Sequence, residues 1–184
     1  MNISALLVMD LQRAIVDRVS DLDPGYTRRL ARAVAAAREA GVPVVYVVVG
    51  FRVGRPEARS SAMFGALPEG AFADGDPGAV IHADVAPRPG EAVVTKKRVS
   101  AFAGSDLSLV LRGGGIGHLV LAGLATSGVV LSTLRQAADL DYRLTVLADG
   151  CADTDPEVHR VLTEKVFPRQ AGVTTVDAWI ASLS

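Results

Sequence analysis

An aspartate that closes a run of apolar residues is the first candidate for chemistry in this 184-residue chain. Asp10 follows Ala5-Leu6-Leu7-Val8-Met9, so its carboxyl stands where a strand of buried character ends. Burial raises a carboxyl pKa and a nearby ammonium lowers it again, which makes an Asp–Lys pair a device for moving protons. The alternative is a helix N-cap or a structural ion pair. Lysines stand in Lys96-Lys97-Arg98, directly after the short apolar run Ala92–Thr95; a solvated basic run reads the same way. Thr126-Ser127-Gly128 opens a helical pattern, where backbone N–H groups hold an anion or a developing oxyanion, or simply cap the helix. Arg52, just past Val44–Val49, suits two-pronged binding of a carboxylate, or is a surface arginine. Asp149, Cys151 and Asp153 follow Arg143–Leu147.

These residues share a position: each lies just after a segment that reads as a strand. The strand segments are Ile3–Met9, Val44–Val49, Ala92–Thr95, His118–Ala122, Arg143–Leu147 and Val173–Val176. Most are apolar on both faces, which suits a parallel sheet covered on both sides. Helical patterns lie between them. Leu30, Ala33, Val34 and Ala37 fall at i, i+3, i+4 and i+7, with Gly41 and Pro43 as stop signals. Leu107–Leu111 is helical up to the glycines at 113–115. In Gly128–Leu140, Val130, Leu131, Leu134, Ala137 and Ala138 share a face, and Pro156–Val166 opens on a tolerated proline. The alternation predicts an α/β fold of three layers, α/β/α, with a mostly parallel sheet and Rossmann-like architecture, as a single domain over residues 1–184. In such sheets ligands bind beyond the carboxyl ends of the strands, so one rim gathers the residues named above. Gly50–Gly90 is too long and too rich in Gly and Pro for an ordinary connection, and is read as an excursion that shapes a pocket.

Composition narrows the function classes. Apolar residues make up 49 % of the chain, and 19 basic residues balance 20 acidic ones to a net charge of -1, which supports neither nucleic-acid nor anionic-membrane binding. No apolar run approaches the ~20 residues of a membrane span. The N-terminal apolar run has no basic segment before it, so a cytoplasmic location is expected. Cys151 is the only cysteine, which excludes an internal disulfide. The three histidines, His82, His118 and His159, show no ligand spacing, so no metal site is expected. The glycine run after Leu111 does not bind a dinucleotide, because that fingerprint follows a strand and opens a helix, and here the order is reversed.

Taken in order, Ala5–Gln12, Thr95–Phe102 and Leu119–Val130, followed by Asp149–Asp153 with His159 on the next helix, resemble the isochorismatase-like hydrolases, a group that includes isochorismatases, nicotinamidases and N-carbamoylsarcosine amidases. The resemblance spans nearly the whole chain. It implies that Asp10 is the catalytic acid/base and Lys96 its partner, with no role for Lys97. It implies a cis peptide at Leu124–Ala125 and a substrate pocket touching Gln12, Phe51, Arg52, Phe102, Ala125, Thr126 and Ser127; Phe51 and Phe102 equally suit a plain core. A small-molecule substrate, no cofactor, and a homo-oligomer, dimer or tetramer, are implied as well.

The sequence departs from the family at one decisive place. Val129 stands where the amidase members carry their nucleophilic cysteine, and valine has no atom that can attack. Cys151 lies after a different strand, where a lone cysteine is more often a small buried residue. Ser127 and Thr126 attack only with a base beside them. Isochorismatases offer a precedent without that cysteine: the Asp protonates a vinyl ether and water adds to the resulting cation. Two readings therefore stand. One is a small-molecule hydrolase that uses Asp10 and Lys96 without a covalent intermediate. The other is a catalytically silent member that serves as a binding or assembly module, against which the retained Asp10 and Lys96 speak.

Overall fold

The computed structural model describes residues 3–183. Six strands form one sheet in the order β3-β2-β1-β4-β5-β6, and all five neighbouring pairs run parallel. They are β1 (Ile3–Met9), β2 (Val44–Val49), β3 (Ala92–Lys96), β4 (Ile116–Leu124), β5 (Arg143–Ala152) and β6 (Gly172–Thr174). The helices are α1 (Arg13–Val16), α2 (Tyr26–Glu39), α3 (Leu107–Gly113), α4 (Leu131–Asp139), α5 (Pro156–Val161) and α6 (Val176–Ala181).

Strand alternation sorts the apolar residues into two layers. Leu7, Met9, Val45, Val47, Leu119 and Leu121 meet Leu107 and Leu111 of α3 and Leu134 and Ala137 of α4. Their neighbours Leu6, Val8, Tyr46, Val120 and Ala122 meet Leu30, Ala33 and Val34 of α2 and Trp179 of α6. Each central strand is thus buried on both faces, which is why its sequence reads as an unbroken apolar run. Among the described residues no helix is long and apolar enough to cross a membrane.

Several elements differ from the sequence expectation: α1 was not foreseen, β4 extends at both ends beyond His118–Ala122, and the helix expected from Gly128 is α-helical only from Leu131. β5 continues to Ala152 because a bulge lets Asp149 and Gly150 sit out of register: Leu121 pairs with Val146, whereas Gly123 pairs with Cys151. The expected helix Pro156–Val166 is α-helical only to Val161, then widens to a π-helical turn, Leu162–Val166, and tightens to a 3-10 turn, Phe167–Arg169. The last strand stops at Thr174, because Thr175 caps α6 by accepting a hydrogen bond from the Ala178 N–H, and Val176 becomes helical.

The strand order reverses between β1 and β4, and the crevice above that reversal is where this architecture holds ligands. Gly123 makes the crevice possible. Its φ is +153°, and a Cβ built there would lie 2.3 Å from the Met9 carbonyl oxygen. No side chain fits between the two strands at this level. Gly123→Ala is expected to cost about 3 kcal/mol through overpacking and backbone strain, read as a lower denaturant midpoint; an unchanged midpoint would show that the strands can part there.

Candidate active site

Asp10 leaves β1 with a φ of +57°, a left-handed conformation that aspartate tolerates better than most residues. Its N–H donates to Val47 O at 2.8 Å, so the backbone stays tied to β2 while the chain turns. Lys96 is the last residue of β3, in register with Val49, the last of β2. Its ammonium spans the end of β2 and meets Asp10 Oδ2 at 2.9 Å, and it also donates to Arg98 O at 3.0 Å. Both side chains are buried, with 8 % and 2 % exposure for Asp10 and Lys96. Lys97 and Arg98 diverge from it. Lys97 donates to Gly50 O and Arg98 to Glu57 O, so one lysine of the basic triplet points inward.

The second carboxyl oxygen of Asp10, Oδ1, is buried and has no partner among the described residues. A buried carboxylate oxygen left unpaired is costly, and a ligand donor placed there removes the cost. Burial pushes the Asp10 pKa up to about 6, and Lys96 opposes the shift by charge and hydrogen bond. Desolvation outweighs the adjacent cation, so the carboxyl exchanges its proton near neutral pH.

Asp10 and Lys96 form the floor of a cavity of about 240 Å³, below the ~300–1,000 Å³ range of pockets for drug-sized ligands. The excursion after β2 supplies one wall, through Met63, Phe64, Leu67 and Phe72. The turn after β4 supplies the other, through Ala125, Ser127, Gly128 and Val129. That turn begins at a cis peptide between Leu124 and Ala125 and kinks at Gly128 before α4. Its residues alternate in direction. Thr126 is fully buried, its Oγ1 2.8 Å from His159 Nδ1, whereas Ser127 is exposed on the wall. Ser127 Oγ donates to Asp153 Oδ2 at 2.7 Å, and the Ser127 N–H donates to the same oxygen at 2.8 Å. The hydroxyl proton is committed, so this serine presents lone pairs to the cavity.

The other pocket residues expected from sequence lie elsewhere. Gln12 is buried and completes the end of β2: its Nε2 donates to Val49 O and Ala79 O, and its Oε1 accepts from Val49 N–H, all at 2.9 Å. Phe51 packs edge-on against Phe64, with centroids 5.4 Å apart, behind the cavity wall. Phe102 joins the core beside Tyr142. Arg52 points to solvent, paired with Glu57. None of these four lines the cavity, and neither does Thr126.

No cysteine reaches the cavity. Cys151 lies on β5 rather than after it, buried opposite Gly123, and burial pushes its thiol up to about 12. A thiol so protonated does not attack at neutral pH. Among the described residues no group of three His, Cys, Asp or Glu side chains is placed to hold a metal ion. Asp153, nominated from the sequence as a strand-end carboxylate, does line the cavity, whereas Arg18, in the turn that follows α1, had no sequence signal.

The model of the isochorismatase domain family matches residues 4–178. Among curated proteins, the ureidoacrylate amidohydrolase RutB of Variovorax paradoxus (strain S110) is 35 % identical over 210 residues, covering 98 % of this chain and 81 % of its own length. Among solved structures, an isochorismatase family protein from Desulfovibrio vulgaris subsp. vulgaris str. Hildenborough superposes with a TM-score of 0.87 at 27 % identity, over 100 % of this chain and 99 % of that one. The N-carbamoylsarcosine amidase from Thermoplasma acidophilum gives a TM-score of 0.77 at 30 % identity, over 96 % and 98 %. With the family's domain matched across nearly the whole chain, and the fold in agreement with it, this protein belongs to the isochorismatase-like hydrolases.

Proposed function

We propose that this hydrolase works through Asp10 and Lys96 with water as its only nucleophile, and that the bond it cleaves is a vinyl ether. The observation that carries this reading is the buried Asp10–Lys96 pair, with Oδ1 unpartnered, opening on a cavity whose wall holds no cysteine. Val129 lies in that wall where the amidase members of the family carry the attacking thiol, so an acyl-enzyme has no atom on which to form.

The chemistry follows from the carboxyl. Protonated Asp10 gives its proton to the terminal carbon of the vinyl ether, and the electron pair of the double bond forms the new C–H bond. The ether-bearing carbon becomes an oxocarbenium ion beside the newly formed carboxylate, which stabilises it. Water adds to that carbon and returns a proton to Asp10. The resulting hemiketal then breaks its C–O bond, releasing an alcohol and a ketone. Lys96 holds Oδ2 and leaves Oδ1 to face the substrate, and it keeps the pKa from rising so far that the acid becomes too weak to donate.

The sign of the pH dependence distinguishes an acid from a base at this position. An acid must be protonated when substrate binds, so kcat/KM for ketone release is expected to fall about tenfold per unit as pH rises above the Asp10 value of about 6. The measurement is keto-acid release from isochorismate and ammonia release from a panel of amides between pH 5 and 9, with Asp10→Asn alongside. A limb that instead rises through the same value, with ammonia as product, would make Asp10 a base and replace the vinyl-ether reading. Retained turnover in Asp10→Asn would remove the pair from the mechanism. No turnover of any substrate would favour the silent binding module that Val129 otherwise suggests.

A further inference from the structure

The amino ends of the strands, at the other end of the sheet from Asp10, carry a second group of polar side chains. Ser4 of β1 and His118 of β4 are register partners, and so are His118 and Arg143 of β5. Register partners stand on the same face of a sheet, and Thr145, two residues beyond Arg143, shares that face. His118 is fastened on both sides: its Nδ1 lies 2.9 Å from Ser4 Oγ and its Nε2 3.0 Å from Thr145 Oγ1. A hydroxyl donates or accepts, so both bonds survive whether the ring is neutral or protonated. β6 leaves the row open, because its register partner for Thr145 is Gly172; a Cβ there would lie 3.8 Å from Thr145 Oγ1 and cover it. The result is an open groove of about 470 Å³, lined by His118, Arg143, Thr145 and, from the 3-10 turn before β6, Arg169. Among the described residues no carboxylate lines this groove, and neither arginine takes part in an ion pair.

We propose that this groove is a second ligand site, separate from the Asp10 cavity, and that it binds a tetrahedral dianion, phosphate or the phosphate group of a small phosphomonoester, between Arg143 and Arg169. The donors decide the class of anion. Two guanidinium forks without a carboxylate of their own supply two positive charges, which a dianion balances and a single carboxylate does not. The Thr145 hydroxyl and the His118 ring offer donors to further oxygens, and a tetrahedral group has oxygens for all of them. The chain as a whole carries a net charge of -1, so the paired arginines are a local concentration and not the expression of a basic chain. The groove also reports its own occupancy. Burial and the Arg143 cation hold the His118 pKa below its ordinary value. A dianion on Arg143 cancels that repulsion, so anion binding and His118 protonation favour each other. Around the ring the sheet presents Ser4 and Thr145, and the groove presents Arg143, Arg169 and Tyr142; none of these is a carboxylate, so none takes the place of the anion.

The test needs no turnover and uses the full chain. The probe is sulfate, a tetrahedral dianion whose charge is constant across the histidine range, added at constant ionic strength with chloride as the balancing ion. The readout is the proton NMR titration of the histidine Cε1–H signals. His118 is identified from its loss in His118→Gln, and His159, beside Thr126 at the other end of the sheet, is the internal reference. Sulfate is expected to shift the His118 signal saturably and to raise its pKa by at least about half a unit, which by linkage is about threefold tighter binding to the protonated protein, while His159 stays unchanged. Arg143→Gln and Arg169→Gln are each expected to weaken sulfate binding about tenfold or more. Both positions are exposed, so the variants should keep the wild-type denaturant midpoint. Competition at pH 8 separates the two sources of the anion: displacement of sulfate by methyl phosphate as well as by inorganic phosphate assigns a phosphomonoester, and displacement by inorganic phosphate alone assigns the free ion. Displacement by neither overturns the phosphate assignment. A His118 response that chloride reproduces, a shift of His159 in place of His118, or sulfate affinity unchanged in either arginine variant overturns the groove as an anion site.

Discussion

Asp10→Asn is expected to lower ketone release from a vinyl ether by about 10²- to 10⁴-fold, the usual worth of a general acid, while the protein stays folded. Asparagine keeps the size of the side chain and an oxygen that can accept from Lys96 Nζ, so the partner of the buried ammonium is not lost. What disappears is the proton that must reach the vinyl carbon. Stability measurements supply a control that separates chemistry from folding. Burial raises the Asp10 pKa from 3.8 to about 6, so the folded state holds this proton more tightly than the unfolded chain. The stability that this contributes is fully present below about pH 4 and is lost as pH rises through about 6. Denaturant midpoints of wild type and Asp10→Asn should therefore diverge on acidification from pH 7 to pH 4, in favour of wild type. A loss of activity accompanied by a collapsed midpoint at every pH would reassign Asp10 to the fold.

Val129→Cys is expected to create an activity rather than remove one. Val129 is nearly buried, with 2 % exposure, and lines the cavity together with Asp10 and Lys96. A thiol of similar size fits the position, and the neighbouring Lys96 ammonium favours its thiolate. Ammonia release from small amides should rise at least about 100-fold above wild type, since a nucleophile and a base would now share one pocket. A labelling experiment checks the geometry independently. The native Cys151 is buried with its thiol pushed up to about 12, so iodoacetamide should spare wild type and modify the variant once. Labelling without ammonia release would show that the cavity lacks more than a nucleophile. Absence of both would show that the Val129 side chain does not face a reagent the size of a substrate.

Asp10 was legible as a carboxyl that ends an apolar run, and a parallel sheet puts such ends at one rim, whereas Lys96 was singled out from Lys97 and Arg98 only by the family resemblance. The strand alternation likewise determined the three layers, because residues buried on both faces leave no room for polar periodicity. The carboxyl ends of β1 and β4 followed, and with them the turn at Ala125, Ser127 and Val129.

Nearness to a strand end, however, does not tell which way a side chain turns. Arg52 sits three residues beyond β2 and looked suited to the pocket, yet the excursion carries it to solvent and to Glu57. Phe51 and Phe102 were absorbed by packing, and Gln12 by the unpaired backbone at the end of β2. Thr126 and Ser127 are adjacent in sequence and part company at a kinked turn, one toward His159 and the other toward the cavity. Arg18 carried no signal, because a turn after a four-residue helix has no period to read. The layers and the rim at which Asp10 and Lys96 meet could be read from the chain, since these depend on burial patterns local to each segment. Which residues face the cavity emerged with the folded chain, because that depends on the path of the excursion and on the backbone groups each turn leaves unpaired.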